Sequence, residues 1–127
     1  LDFVFASRYI LPGGGSDDDN LITSFGNFFF SKLGNIFFSL NISDILFTYV
    51  MGNTKLFNSL NLISKDFTLC VEFPIKMYMK KFRYQTIPSF ERRRIAGKKK
   101  VNAFKDGLLI LGAMLRLFVE KLTIKKK

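Results

Sequence analysis

Two carboxylates stand where an ionised group is costly. Asp44 is embedded in Asn41-Ile42-Ser43-Asp44-Ile45-Leu46-Phe47, and Glu72 lies between Leu69-Cys70-Val71 and Phe73. In apolar surroundings each needs a partner, so each is a candidate either for chemistry or for a buried ion pair. Asp44 reads as a catalytic base at a sheet edge or as a strand-terminal cap. Glu72 reads as a catalytic carboxylate or as the structural partner of an arginine.

The densest charge lies further on. The run Glu91-Arg92-Arg93-Arg94-Ile95-Ala96-Gly97-Lys98-Lys99-Lys100-Val101-Asn102 sets six cations around one glycine. Such a density calls for a polyanion, a phosphate or an anionic membrane surface. Before Lys80 there are five basic and seven acidic side chains, a balance of −2; the chain total is +10, so residues 80–127 carry +12. Nucleic acid fits this run poorly. Aromatics are not interleaved with the cations, and the segment that follows is strongly apolar. A basic loop beside an amphipathic helix suits an anionic membrane, where each surface lysine contributes about 1 kcal/mol.

Two other clusters carry less. Asp17-Asp18-Asp19 offers the oxygen donors that Mg²⁺ or Mn²⁺ prefer, but three consecutive side chains diverge, and the reading favoured is a solvated acidic loop. Gly13-Gly14-Gly15 lacks the Lys-Ser/Thr of a phosphate-binding loop and the spacing of a dinucleotide fingerprint, so it reads as a hinge. With no His and the single Cys70, histidine triads, zinc sites and an internal disulfide are excluded, which fits a reducing compartment. Acid–base chemistry is left to Asp, Glu, Lys and Tyr.

The elements that must position these groups follow from periodicity. Residues 2–10 read as a largely buried strand delivering Ser7 and Arg8 to a polar edge. Residues 11–20, rich in Gly and Asp, read as a flexible loop. Residues 21–40 have helical spacing, with Leu21, Phe25, Phe28, Phe29, Leu33, Ile36, Phe37 and Leu40 as the packing stripe. Residues 41–51 are β-branched and aromatic, as in a strand containing Asp44. Gly52 and Asn53 turn the chain into a short helix at 54–60. Asp66 or Thr68 caps a helix whose regular part is expected at 71–81, because Pro74 is tolerated only in a first turn. Residues 82–90 read as a strand. Residues 103–122 form an amphipathic helix displaying Phe104, Leu108, Leu109, Leu111, Leu115, Phe118, Val119 and Leu122, followed by a lysine tail at 125–127. A hydrophobic fraction of 48% over 127 residues supplies the core of one modest domain. No apolar stretch reaches the roughly 20 residues needed to span a bilayer, and no signal peptide is expected. Sixteen Phe without Trp, and a start at Leu1 already inside a strand-like run, create the expectation of a piece of a longer protein.

The order of these segments resembles the C-terminal half of family 2 glycosyltransferases of the GT-A fold, closest to dolichyl- or polyprenyl-phosphate sugar synthases and their bacterial relatives. Phe5-Ala6-Ser7-Arg8-Tyr9 resembles the family's GSRY strand end, with its Gly-rich acceptor loop and long helix behind it. Asn41-Ile42-Ser43-Asp44 resembles the segment ending in D-P-T-S-G-F-R, and Cys70-Val71-Glu72 the helix carrying a Glu. Ile87-Pro88-Ser89-Phe90-Glu91 resembles V-P-S-F-E, and Arg94-Ile95-Ala96-Gly97-Lys98-Lys99-Lys100 resembles R-x-x-G-x-S-K. The chain departs from the pattern after Asp44, where Ile45-Leu46-Phe47 replaces Ser-Gly-Phe-Arg. It departs again at Lys99, where the family has Ser, and at Thr86, where many members have Glu.

The resemblance implies an α/β fold, the C-terminal part of a Rossmann-like GT-A domain with a mixed sheet and packing helices. Residues 1–102 would form its acceptor-side half and residues 103–127 a membrane-apposed amphipathic helix with a basic tail. It further implies an inverting, nucleotide-sugar-dependent glycosyltransferase, with this chain inactive alone. The nucleotide-sugar and a divalent metal (Mg²⁺ or Mn²⁺) would sit on a missing N-terminal half, with no metal ligand in this chain. The acceptor would be a lipid phosphate or a glycan precursor of the cell envelope. Asp44 would be the catalytic residue, Arg8, Arg94, Gly97 and Lys100 would bind phosphate or acceptor, and Ser7 and Glu72 would support them. The expected setting is the cytoplasmic face of a membrane, against anionic lipid and without nucleic acid. The alternative from another class is a non-catalytic basic module that binds membrane surfaces or nucleic acid.

Overall fold

The computed structural model describes residues 1–125. The chain runs β1 (Phe3–Ser7), β2 (Gly15–Ser16), α1 (Leu21–Phe38), β3 (Val50–Gly52), α2 (Thr54–Asn58), α3 (Leu69–Met79), β4 (Tyr84–Pro88), β5 (Phe90–Glu91) and α4 (Ala103–Lys125). Phe3, Phe5, Ala6 and Ser7 of β1 are all buried, as expected of a strand covered on both faces. It is the centre of a three-stranded mixed sheet, β3-β1-β4. β4 runs parallel to it from Phe3↔Tyr84 to Ser7↔Pro88, and β3 antiparallel from Phe3↔Gly52 to Phe5↔Val50. A parallel neighbour requires a long crossover, and here that crossover carries α1, α2 and α3. The result is a mixed α/β molecule.

α3 lies between sheet and α4. Phe73 meets Phe3 and Phe5 with ring centroids 5.3 and 5.4 Å apart, while Ile110, Met114 and Leu117 of α4 complete the core above it. Spacings of four and three residues place those three on one helical stripe. α4 also flanks α1: Phe30 faces Gly107, and Phe37 and Phe38 face Phe118. Contacts that rise together along both helices mean the two run side by side in the same direction. The lysines at 126 and 127 of the expected tail lie outside the described residues.

The helix expected at 21–40 is present, but it turns its other face inward. Asn27, Phe30, Ser31, Gly34 and Phe38 are buried, whereas Leu21, Phe25 and Phe28 are 89%, 70% and 59% exposed. The physical reason is the segment that α1 covers. Asn35 Oδ1 accepts from Ile42 N (3.3 Å), Ser31 Oγ from Ile45 N (3.1 Å) and Asn27 Oδ1 from Leu46 N (2.9 Å), while Asn27 Nδ2 donates to the Ser43 carbonyl (3.3 Å). Three polar side chains at i, i+4 and i+8 thus satisfy buried backbone that would otherwise need a strand partner. For the same reason the strand expected over 41–51 is confined to Val50–Gly52, and Asp44 sits in a loop. α4 is similarly re-oriented: Phe104, Leu108, Leu115 and Val119 of its expected stripe are exposed.

Two further expectations change. α3 starts at Leu69, so Pro74 sits inside the helix rather than in its first turn. The start is fixed early because the amides of Leu69, Cys70 and Val71 bond to the carbonyls of Asp66, Phe67 and Thr68 at 3.2, 3.3 and 3.2 Å. The Gly-rich loop is no hinge. Gly14 N donates to the Ile10 carbonyl, and Gly15–Ser16 pairs with Phe90–Glu91 as a two-stranded parallel ribbon. A Cβ at Gly14 would run into the carbonyl oxygens of Ile10 and Arg8, and one at Gly15 would lie 2.8 Å from the Phe90 ring. Glycine is needed here for close approach. The short helix after Asn53 is as expected, with Asn53 Oδ1 accepting from Lys55 N (2.9 Å) and Leu56 N (3.2 Å).

Candidate functional site

β1 ends at Ser7, and its next residue is the hub of the polar region. Arg8 Nε and Nη2 grip Asp44 Oδ2 and Oδ1 at 2.8 and 2.9 Å, a bidentate fork, while its own backbone amide donates to Asp44 Oδ2 at 2.9 Å. Arg8 Nη1 reaches Glu91 Oε2 at 2.9 Å. The guanidinium also lies over the Phe47 ring, 4.7 Å from its centroid. Burial opposes the charge on Arg8, but the bonds from Asp44 and Glu91 outweigh it and hold the guanidinium above its ordinary pKa. Arg8 is permanently charged, and each of its three guanidinium nitrogens donates to a carboxylate. Behind it, Ser7 Oγ and Ser43 Oγ share a 2.7 Å hydrogen bond that joins the strand end to the Asp44 loop.

Glu91 links this hub to the Gly-rich loop. Ser16 Oγ donates to Glu91 Oε2 at 2.6 Å and itself accepts from the amides of Asp18 (3.1 Å) and Asp19 (3.0 Å). Asp19 turns away, bonded to the Tyr9 hydroxyl and to Thr23. Burial pushes its carboxyl up, but those two donors outweigh burial and leave its pKa lowered. The Tyr9 hydroxyl is pushed up to about 12 by burial and by the bond to Asp19, so it stays protonated. Asp18 faces the basic run instead, its Oδ2 3.8 Å from both Arg94 Nη2 and Lys99 Nζ. Asp18 and Asp19 therefore point to different partners and the loop carboxylates do not converge on a metal ion; among the described residues no cluster of acidic and cysteine side chains does.

Between the N-terminal halves of α1 and α4 these groups border an open cleft of about 700 Å³. Its lining mixes the charged and polar side chains Arg8, Asp19, Thr23, Glu91, Arg94, Lys99 and Asp106 with apolar ones that include Phe25, Phe30, Phe104 and Ile110. Such a cleft accommodates a ligand with both polar and apolar parts. No family model, curated protein or solved structure matches this chain.

The expected site residues divide into two groups. Arg8 and Arg94 border the cleft. Asp44 is buried behind Arg8, both its oxygens taken, and Ser7 lies below it. Gly97 and Lys100 are exposed and do not line the cleft; Gly97 turns the basic loop at φ +83°. Glu72 belongs elsewhere. Its carboxylate accepts from Ile63 N (3.1 Å), Ser64 N (2.7 Å) and Lys76 Nζ (2.8 Å), with Arg116 Nη2 at 3.9 Å, so it ties α3 to the preceding loop and to α4. Glu91, Lys99, Phe47 and Asp18 are not among the site residues expected from sequence. Glu91 had a signal, because a lone acid opening a cationic run has ready partners.

Proposed function

We propose that this chain is the acceptor-side part of a family 2 glycosyltransferase of the GT-A fold, passing a sugar from a nucleotide-sugar to a lipid phosphate or a cell-envelope glycan precursor. The observation that carries the reading is the meeting of distant segments on one cleft. Arg8 of Ser7-Arg8-Tyr9, Phe47 beyond Asp44, Glu91 of Pro88-Ser89-Phe90-Glu91, and Arg94 and Lys99 of the basic run all border it. Those are the segments whose order resembles the family's.

In this reading Arg94 and Lys99 neutralise phosphate oxygens, and Lys100 adds to the field from the rim. Arg8 has its Nε–Nη2 fork on Asp44 and Nη1 on Glu91, and acts as a positioning residue, holding Asp44, Glu91 and Phe47 in one arrangement. Asp44 then supports rather than abstracts: its oxygens are occupied, and a phosphate acceptor is already an anion that needs no base. A divalent metal, when bound, would neutralise the donor diphosphate; its ligands would come from outside this chain. The basic run, with the fully exposed Ile95 in its midst, and the outward Phe residues of α1 and α4 would face anionic lipid at the cytoplasmic surface. No described helix is long and apolar enough to cross a membrane.

The test needs the encoding sequence upstream of Leu1. A strand followed by D-x-D roughly 10–30 residues before Leu1 is expected, since that spacing sets a metal site at the end of the preceding strand. In that longer protein, transfer of labelled sugar from nucleotide-sugars to polyprenyl phosphate is then measured. Arg94→Ala is expected to lower kcat/KM by about 10²-fold, the usual cost of one transition-state donor. Absence of the upstream motif, or an unchanged rate, would overturn the reading.

A further inference from the structure

Arg94 and Lys99 face a carboxylate of the protein's own. Asp18 Oδ2 lies 3.8 Å from each, and Lys99 Nζ also donates to the Asp18 carbonyl. Among the described residues neither cation has another acidic partner within 4.0 Å. The backbone on both sides of Asp18 is held independently of these contacts. Asp17 N donates to the Glu91 carbonyl at 2.9 Å, Ser16 Oγ collects the amides of Asp18 and Asp19, and Tyr9 and Thr23 hold Asp19. Only the Asp18 side chain is free to leave, by a rotamer change that opens no loop.

The contact is also incomplete. One oxygen is shared between two cations at 3.8 Å, whereas a direct charge-assisted hydrogen bond is about 2.7–2.9 Å long. A phosphate brings more charge and more oxygens and can satisfy both cations at once. We infer that Asp18, which does not itself line the cleft, is an internal counter-anion seated beside the Arg94–Lys99 pair, and that a phosphate-class ligand must displace it to engage both cations. This rests on reading the cleft as a phosphate site, but not on sugar transfer. The consequence is selectivity. A weak monoanion competes poorly with a tethered carboxylate, because tethering gives Asp18 a high effective concentration at the pair. A diphosphate displaces it.

The experiment titrates the chain with inorganic pyrophosphate, and separately with acetate, at low salt by calorimetry, with amide NMR spectra confirming the fold. Asp18→Asn is compared with Asp17→Asn, which removes the same charge from the same loop. Asp17 has no ion pair among the described residues. Loss of two exposed ion pairs should tighten pyrophosphate binding by about 3–10-fold in Asp18→Asn. Asp17→Asn should change it by less than about twofold, as an exposed charge without an ion pair does. Asp18→Ser should repeat the gain, and adding Arg94→Ala and Lys99→Ala to Asp18→Asn should abolish it. Equal tightening by Asp17→Asn would reduce the effect to net charge and overturn the proposal, as would no change in Asp18→Asn. If no variant binds pyrophosphate, the phosphate reading falls too. If the expected pattern appears while the longer protein transfers no sugar, only the transferase reading falls.

Discussion

At the residue scale, the two carboxylates that sequence singles out do structural work of different kinds. Asp44 anchors Arg8, and through it Glu91 and the Gly-rich loop. A buried fork of this sort is destabilising to break from either side, because the surviving partner is left charged and unpaired. Glu72 is a brace between α3, the 61–64 loop and α4. Burial raises its pKa, but Lys76 and the amides of Ile63 and Ser64 outweigh burial and bring it from 4.5 down to about 2. A carboxyl depressed in the folded state stabilises above its unfolded pKa, and that contribution is lost as pH falls through the folded value. Stability measured by urea unfolding should therefore drop between about pH 4.5 and pH 2, and Glu72→Gln should remove part of that slope. An identical slope in the variant would show that Glu72 contributes nothing to it. Cys70 offers no comparable chemistry: burial pushes its thiol up to about 12.

At the element scale, α1 is the unexpected part. Its inward face carries Asn27, Ser31 and Asn35 because the 42–46 segment has no strand neighbour, and the helix supplies the missing acceptors. Asp44 is presented to Arg8 by that ladder. Asn27→Ala would orphan the Leu46 amide and the Ser43 carbonyl, at a cost of about 1–3 kcal/mol per buried group. Chemical denaturation should show a loss of that size, and Lys32→Ala on the same helix should show almost none. A loss below 0.5 kcal/mol, the usual range for neutral surface changes, would mean that water replaces the side chain freely. Hydrophobic periodicity misled here for a physical reason. Phe and Leu occupy so many positions of α1 that two faces are apolar, and burial is decided by hydrogen-bonding need. In α4, likewise, Ile110, Met114 and Leu117 are chosen over Phe104, Leu108 and Leu115 because α3 meets that stripe.

At the scale of the whole molecule, the outward apolar faces of α1 and α4 lie beside a strongly cationic loop. Leu21, Phe28 and Leu108 are exposed, as are Ile22, Phe25 and Phe104, which also line the open cleft. A surface of that kind exceeds the single scattered hydrophobes usual on a monomer. Flotation with vesicles containing phosphatidylserine should recover the chain, and neutral vesicles should recover much less. Raising salt from 0.05 to 0.5 M, values on the order of those that shrink the Debye length severalfold, should weaken the binding. Phe25→Ser with Phe28→Ser should reduce recovery without unfolding the protein, since neither ring is in the core. Charge-independent binding would count against the lipid surface and favour a protein partner on these faces.

Sequence by itself determined the order of the longer elements, the buried character of β1, the short helix after Asn53, a strand within 82–90 and the confinement of positive charge to residues 80–127. Each rests on local propensity, punctuation or composition, which need no knowledge of what packs where. Tertiary structure decided which face of α1 and α4 is inside, that residues 41–49 are held by side chains rather than by a strand, and that the glycines are pinned rather than free. It also decided that Asp44 is locked by Arg8, that Glu72 stands apart, and that Asp18 meets Arg94 and Lys99. These are pairings between residues 36 to 83 positions apart in the hub, and no local pattern encodes a partner at that distance. The charge run announced that an anion was needed. Only the folded chain revealed that one of its own carboxylates lies beside two of those cations.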